Sequence, residues 1–163
     1  KGKTTAAVGL GVRACGSGLN VLMVQFLKST PSGEITSIKK LEPGFRVYRG
    51  TESRKFIWQM NDEEKAKARA EQQEIFEFAV SEARKGKVDL LILDESLGAI
   101  STGFLSMDRV VDFIKNRPEH LEVVLTGRGA PEELIGLADY VSEIRDIKHP
   151  AEKGIKARKG IEF

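Results

Sequence analysis

Lys1-Gly2-Lys3-Thr4-Thr5 and, further along, Leu90-Leu91-Ile92-Leu93-Asp94-Glu95 are the two stretches that decide the fold. The first reads as the end of a phosphate-binding loop of the G-x-x-x-x-G-K-[ST] kind, whose Gly-rich turn and feeding strand would lie before Lys1. Gly-Lys-Thr-Thr in fixed order arises by chance at roughly one position in tens of thousands, judged from average residue usage. Backbone N–H groups around Gly2 and the N-terminus of the following helix would cradle phosphate oxygens, with the Lys3 ammonium on the terminal phosphates and the Thr4 hydroxyl on a magnesium ion. Gly2, Lys3, Thr4 and Thr5 are therefore the nucleotide-binding candidates. The plain alternative is a surface Lys/Thr turn ahead of a helix.

The second stretch is a short apolar run that ends in two carboxylates. A buried parallel strand reads as a continuous hydrophobic stretch, and its carboxyl end opens onto the ligand crevice of an α/β sheet. Asp94 and Glu95 thus arrive where the phosphates sit. One completes a magnesium shell, and the other orients a nucleophile or makes a second metal contact, so the metal candidates are Thr4, Asp94 and Glu95. A solvated acidic strand end is the alternative for a lone Asp, and the pairing with Gly2-Lys3-Thr4 makes it the lesser one.

Outward from these stretches, helix and strand signals alternate. Thr4 to about Ser17 is a predicted helix whose Ala6, Ala7, Gly9, Gly11 and Ala14 let it lie close against a sheet, and Gly16 and Gly18 end it. Predicted strands cover residues 21–26, 45–48, 90–95, 122–126 and 140–144. Predicted helices cover residues 35–41, 62–85 and 107–116, with another opened by Pro131-Glu132-Glu133. Residues 50–61 have no clean periodicity. In the 62–85 helix Ile75, Phe76 and Ala79 share one face, and Gly86 closes it. The alternation argues for one α/β domain spanning 1–163, a RecA-like phosphate-loop fold with a mostly parallel sheet and helices on both faces. The strand feeding the loop is central in such folds, so these residues alone are expected to leave an unpaired gap in the sheet.

Bulk properties fit an enzyme domain. A chain of 163 residues is long enough to bury a sizeable core. A formal net charge of +2 compels neither a nucleic-acid nor a membrane partner, and no apolar run reaches the roughly 20 residues of a membrane span. The single cysteine, Cys15, excludes an internal disulfide framework and fits a reducing, cytoplasmic compartment; its place among Ala, Gly and Val favours packing over catalysis. A leader ahead of Lys1 would fall outside this sequence. His120 and His149 are too isolated for a metal site and read as surface or hydrogen-bonded structural histidines.

A phosphate loop alone leaves kinases, ATPases and transferases open. The remaining segments narrow the choice. Val24-Gln25-Phe26-Leu27-Lys28, Phe56-Ile57-Trp58, Leu93-Asp94-Glu95, Leu125-Thr126-Gly127-Arg128, Ala130-Pro131-Glu132-Glu133-Leu134, Ala138-Asp139, Lys148-His149-Pro150, Gly154-Ile155 and Gly160-Ile161-Glu162-Phe163 follow in order along the whole chain. The ordered set resembles the ATP:corrinoid (cob(I)alamin) adenosyltransferases of the homodimeric phosphate-loop type. That resemblance implies ATP and a corrinoid as substrates, Mg2+ or Mn2+ as the metal, and an electron donor such as a flavoprotein. It also implies that a cobalt(I) corrinoid attacks the 5′ carbon of ATP, forming adenosylcobalamin while the whole triphosphate leaves.

A triphosphate leaving group needs charge neutralisation, which Lys3, the loop N–H groups and a metal held by Thr4 and the Asp94/Glu95 pair would supply. Lys3, Glu95 and Arg128 are the catalytic candidates, Arg128 because its planar fork suits phosphate oxygens; a structural salt bridge at a strand end is its alternative role. Phe56 and Trp58, otherwise a local hydrophobic plug, are the corrinoid candidates: in the family, aromatics at matching positions exclude the lower cobalt ligand. Two segments depart from the family pattern. Ser96-Leu97-Gly98-Ala99-Ile100 is smaller than the bulky segment expected there, which puts local packing in question, and Ala157-Arg158-Lys159 puts a base where the family often has glutamine. The rivals are a RecA-like ATPase, with Glu95 polarising water, and a non-catalytic nucleotide-binding module.

Overall fold

Five-residue apolar runs between helix signals build the centre of the molecule. In the computed structural model, which describes residues 1–28, 31–50 and 59–162, β1 (Val21–Gln25), β2 (Phe45–Arg49), β3 (Leu90–Asp94) and β4 (Glu122–Leu125) form one all-parallel sheet of order β2-β1-β3-β4. Parallel neighbours need crossover connections, and helices supply them. These are α2 (Gly33–Ile38) with a 3-10 turn at Lys39–Leu41, α3 (Asp62–Arg84), and α5 (Met107–Lys115). Among the described residues the chain also forms α1 (Lys3–Gly16), α4 (Ser96–Ser101) and α6 (Glu132–Leu137), with a further 3-10 turn at Pro150–Lys153.

Strand alternation divides the core between the two faces. Val21, Met23, Phe45, Leu90 and Ile92 pack with Ala7 and Ala14 of α1 and with Ile38. Leu22, Val24, Leu91 and Leu93 pack on the other face with Ile75, Phe76 and Ala79 of α3 and Val110 and Phe113 of α5. The small face of α1 lets it sit hard against the sheet: a Cβ at Gly11 would lie 2.6 Å from the Phe45 ring. Helix α3 starts at a reciprocal cap, in which Asn61 accepts from the Glu64 N–H at 2.8 Å and Glu64 accepts from the Asn61 N–H at 3.0 Å.

Three details differ from the sequence-based expectation. The expected gap in the sheet is not there, because β1 and β3 pair directly from Val21↔Leu90 to Gln25↔Asp94. The segment 96–100 is ordered as α4 rather than loosely packed, with Ser96, Leu97 and Ala99 buried and the Ser96 hydroxyl donating to the Leu93 carbonyl at 2.8 Å. The strand expected at 140–144 does not form. A strand needs a neighbour for its N–H and C=O groups, and no described strand pairs with residues 138–148, whose Tyr140 is 94 % exposed. The β-branched and aromatic residues of that segment express a preference that only a paired, half-buried surface can realise.

The strand order also marks the candidate ligand crevice. The chain runs from β1 outward to β2, then returns to the other side of β1 for β3 and continues outward to β4. The direction reverses between β1 and β3, and in open α/β sheets the crevice beyond the carboxyl ends at such a reversal is the ligand site. The last residues of those two strands are Gln25 and Asp94, which are register partners.

Candidate active site

Asp94 stands at the centre of that crevice, with none of its surface exposed. Four donors converge on its carboxylate. The hydroxyls of Thr4 and Thr126 donate to Oδ1 at 2.9 and 2.7 Å, and the Gln25 amide and the Lys28 ammonium donate to Oδ2 at 3.0 and 2.7 Å. A buried carboxylate is tolerated only when paired and hydrogen-bonded, and these donors meet both conditions. Thr4 comes from the first turn of α1, Gln25 and Asp94 from the ends of β1 and β3, Thr126 from just past β4, and Lys28 from the loop after β1. Four segments separated widely in sequence thus meet on one side chain.

The backbone around the carboxylate is bent to make this possible. Leu27 has φ 55° and Glu95 φ 61°, left-handed conformations that residues other than glycine rarely adopt. At Leu27 the turn is held by its N–H donating to Gln72 Oε1 at 2.9 Å, and Gln72 is a buried polar residue of α3. At Glu95 it is held by the N–H donating to Thr126 Oγ1 at 3.0 Å. Gly127, at φ 149°, passes so close to α4 that a Cβ there would lie 2.6 Å from Leu97 Cβ. Gly2 likewise takes a left-handed conformation, φ 109°, immediately before α1.

The sequence-derived candidates divide into three groups. Thr4 and Asp94 are brought together directly, and Glu95 follows at the next peptide, with its carboxylate oxygen reaching over Gly98. Lys3 opens α1 and has no hydrogen-bond or ion-pair partner among the described residues, nor does the Glu95 carboxylate; Gly2 and Thr5 flank the same turn. Arg128 lies two residues beyond Thr126, exposed and without an ion pair among the described residues, so the salt-bridge role weighed for it is absent there. Phe56 and Trp58 lie outside the described residues.

Sequence reasoning did not assign site roles to Gln25, Lys28 or Thr126. Gln25 and Thr126 share one signal, a polar residue just where an apolar strand ends, the position that faces the crevice, whereas Lys28 lies in the loop three residues beyond Gln25. Gln25 carries a further mark: its Oε1 is buried with no hydrogen-bond partner among the described residues, while its Nε2 is committed to Asp94. A buried acceptor left over beside a filled carboxylate is a place for an incoming donor.

Near the same turn, the C-terminal segment folds back. Lys1 Nζ donates to the Ile161 carbonyl at 2.6 Å and pairs with Glu162 at 3.2 Å. Arg158 donates from its guanidinium and its backbone N–H to the same Glu162 carboxylate. These bonds, with Arg158 foremost, hold the Glu162 carboxyl well below its ordinary value, at about 2. Arg158, the base at the position where glutamine was expected, is therefore an anchor for the C-terminal turn. The described residues contain no group of three His, Cys, Asp or Glu side chains able to hold a metal by themselves. His149 caps the 3-10 turn that follows it, its Nδ1 accepting from the Ala151 N–H at 3.2 Å. No described helix is long and apolar enough to cross a membrane.

Comparison with known proteins bears on the family of the chain. The sequence model of the family described as ATP:corrinoid adenosyltransferase BtuR/CobO/CobP matches residues 1–163. A corrinoid adenosyltransferase of Escherichia coli is 35 % identical over all of this chain and 81 % of its own length. That of Salmonella typhimurium is 34 % identical over the same shares, and one from Pseudomonas aeruginosa is 37 % identical over all of this chain and 79 % of its own.

Proposed function

The chain belongs to the ATP:corrinoid adenosyltransferase family, and from that premise we propose how its residues carry out the ATP-dependent transfer of an adenosyl group to a corrinoid. The observation that carries the reading is the direct contact of the Thr4 hydroxyl with the buried Asp94 carboxylate at 2.9 Å, at the start of α1 and the end of β3. A loop-helix hydroxyl against a strand-end carboxylate is the arrangement that holds a hard divalent cation on nucleotide phosphates. The donor set fits magnesium or manganese: both oxygens are hard, and a cation, the Lys28 ammonium, already lies against both. When bound, the metal supplies charge neutralisation to the triphosphate.

The chain's own groups do the rest. Gly2, Thr5 and the first N–H groups of α1 bind phosphate oxygens, and the Lys3 ammonium, without a partner among the described residues, neutralises the charge that grows as the triphosphate departs. In the reaction the cobalt(I) lone pair attacks C5′ of ATP, the new bond is Co–C, and the C5′–O bond breaks with its electron pair leaving on the triphosphate. Charge therefore accumulates on the phosphates and not on a water, which suits an ammonium at the start of α1, Lys3, and a guanidinium two residues beyond Thr126, Arg128. Glu95, whose carboxylate has no partner among the described residues, would make a second metal contact or orient the nucleophile. The family resemblance gives Phe56 and Trp58 the exclusion of a lower cobalt ligand as their role. The reading carries with it a cytoplasmic homodimer supplied with electrons by a flavoprotein, both drawn from the family resemblance.

Product analysis tests this. The full-length protein, ATP, Mg2+ and chemically reduced cobalamin should give inorganic triphosphate together with the absorbance change of a cobalt–carbon bond. ADP and phosphate in place of triphosphate would transfer the assignment to a RecA-like ATPase, and no turnover would leave a nucleotide-binding module. In the same assay Phe56→Ala and Trp58→Ala should spare ATP binding and lower product more from cob(II)alamin than from cob(I)alamin.

A further inference from the structure

We propose that the Lys28 ammonium is a resident counter-cation of the divalent-metal position, so that metal enters only when nucleotide draws Lys28 away. This rests on the metal reading of Thr4 and Asp94 given above. Lys28 Nζ lies 2.7 Å from Asp94 Oδ2 and 3.0 Å from Thr4 Oγ1, the two side chains that would hold the metal. A divalent ion bound at about 2.0–2.2 Å to those side chains would stand within van der Waals reach of the ammonium, and two cations at that separation repel strongly in a buried site. The two occupancies exclude one another.

Lys28 is placed there by construction. Leu27 takes a left-handed backbone conformation, and a buried Gln72 of α3 holds its N–H. This turn at the end of β1 directs the next side chain back over the sheet end. The Lys28 contact is also separable from the hydrogen bonding of the carboxylate. Thr4, Thr126 and Gln25 still donate to Asp94 when Lys28 leaves, so the carboxylate keeps three of its four hydrogen bonds and loses its counter-charge with the fourth. That loss is severe for a fully buried charge, and it is made good only by another cation arriving in the same step. The Lys28 side chain is 26 % exposed, so the ammonium has an open side toward which it can swing. A triphosphate bound at Gly2 and Lys3 gives it an anionic destination. Metal and nucleotide binding are thereby coupled through a lysine that trades one anion for the other.

The probe is Mn2+ alone, with free ion followed by its paramagnetic resonance signal, and then Mn2+ with ATP in the absence of corrinoid. Lys28→Met removes the charge, and Lys28→Gln keeps a donor in case the first variant is unstable. Either folded variant should bind Mn2+ without ATP at least tenfold more tightly than the wild type, and ATP should enhance its Mn2+ binding far less. Asp94→Asn should weaken Mn2+ binding in every background, with Thr4→Val in its place if the asparagine variant is unfolded. Equal ATP-free Mn2+ affinity in the wild type and the Lys28 variants, with Asp94→Asn still weakening binding, would overturn the exchange and leave the metal reading standing. Mn2+ binding indifferent to both Asp94 and Thr4 would remove the metal reading and the exchange together.

Discussion

Replacing Asp94 with asparagine keeps the shape of the side chain and changes what its oxygens can do. All four partners of the carboxylate donate to it: two hydroxyls on Oδ1, an amide and an ammonium on Oδ2. In asparagine the oxygen can keep both threonines, and the NH2 group then faces Gln25 Nε2 and Lys28 Nζ, donor against donor. If the amide is turned round, Thr4 and Thr126 can rotate their hydroxyls to accept, but Lys28 has still lost its counter-charge. Breaking a buried pair by neutralising one member costs about 3–5 kcal/mol. Because Lys28 is partly exposed, water recovers some of that, and about 3 kcal/mol is the expected loss. With a urea slope of about 2 kcal/mol/M for a domain of this size, the unfolding midpoint should fall by about 1.5 M. The control is Asp89→Asn. Asp89 also accepts from a backbone N–H and a side chain, those of Asn20 at 2.7 and 3.2 Å, but at an exposed site, where the change should cost less than about 1 kcal/mol. Equilibrium urea unfolding of both variants at neutral pH, without nucleotide or metal, measures the difference. A folded Asp94→Asn protein within about 1 kcal/mol of wild type would show that the four-donor arrangement does not hold the strand ends together.

Two further outcomes are expected. Along α1, Gly9→Ala should stabilise by about 0.5–1 kcal/mol because its Cβ meets nothing, whereas at Gly11 overpacking against the buried Phe45 ring at 2.6 Å, worth about 1–3 kcal/mol, should outweigh the helix gain and destabilise; thermal unfolding of the two variants separates the effects. Glu162 has its folded pKa lowered to about 2 from an ordinary 4.5, so its contribution is present above about pH 4.5 and is lost as pH falls toward 2; the stability gap between wild type and Glu162→Gln should be constant from pH 5 to 7 and close between pH 4.5 and 2 in urea titrations.

The sequence made the scaffold legible because its elements carry local, redundant signals. Each five-residue apolar run became a buried parallel strand, and the Asn61-to-Glu64 spacing, the acidic first turn and the closing glycine bounded α3. The strand expected at 140–144 failed for the converse reason: a β-rich composition says what a segment can do beside a neighbour and not whether the neighbour is there. Half the site was equally legible, because Gly2-Lys3-Thr4 and Asp94-Glu95 are contiguous and chemically distinctive. The other half was not, since Gln25, Lys28 and Thr126 acquire meaning only from strand order. Nothing local tells that β1 pairs with β3, that Gln25 therefore stands beside Asp94, or that a left-handed Leu27 turns Lys28 back across the sheet. Once the reversal between β1 and β3 is known, one rule recovers Gln25 and Thr126: beside a buried carboxylate at the end of one strand, the polar residues ending its neighbours are its donors. Gln25 and Thr126 sit at those ends for the reason that Val24 and Leu125 before them are apolar, because the strand passes there from the core into the crevice. The site is thus read from where hydrophobicity stops along each strand, and Lys28, three residues beyond Gln25, needs the additional cost of an unfavourable backbone conformation to reach it.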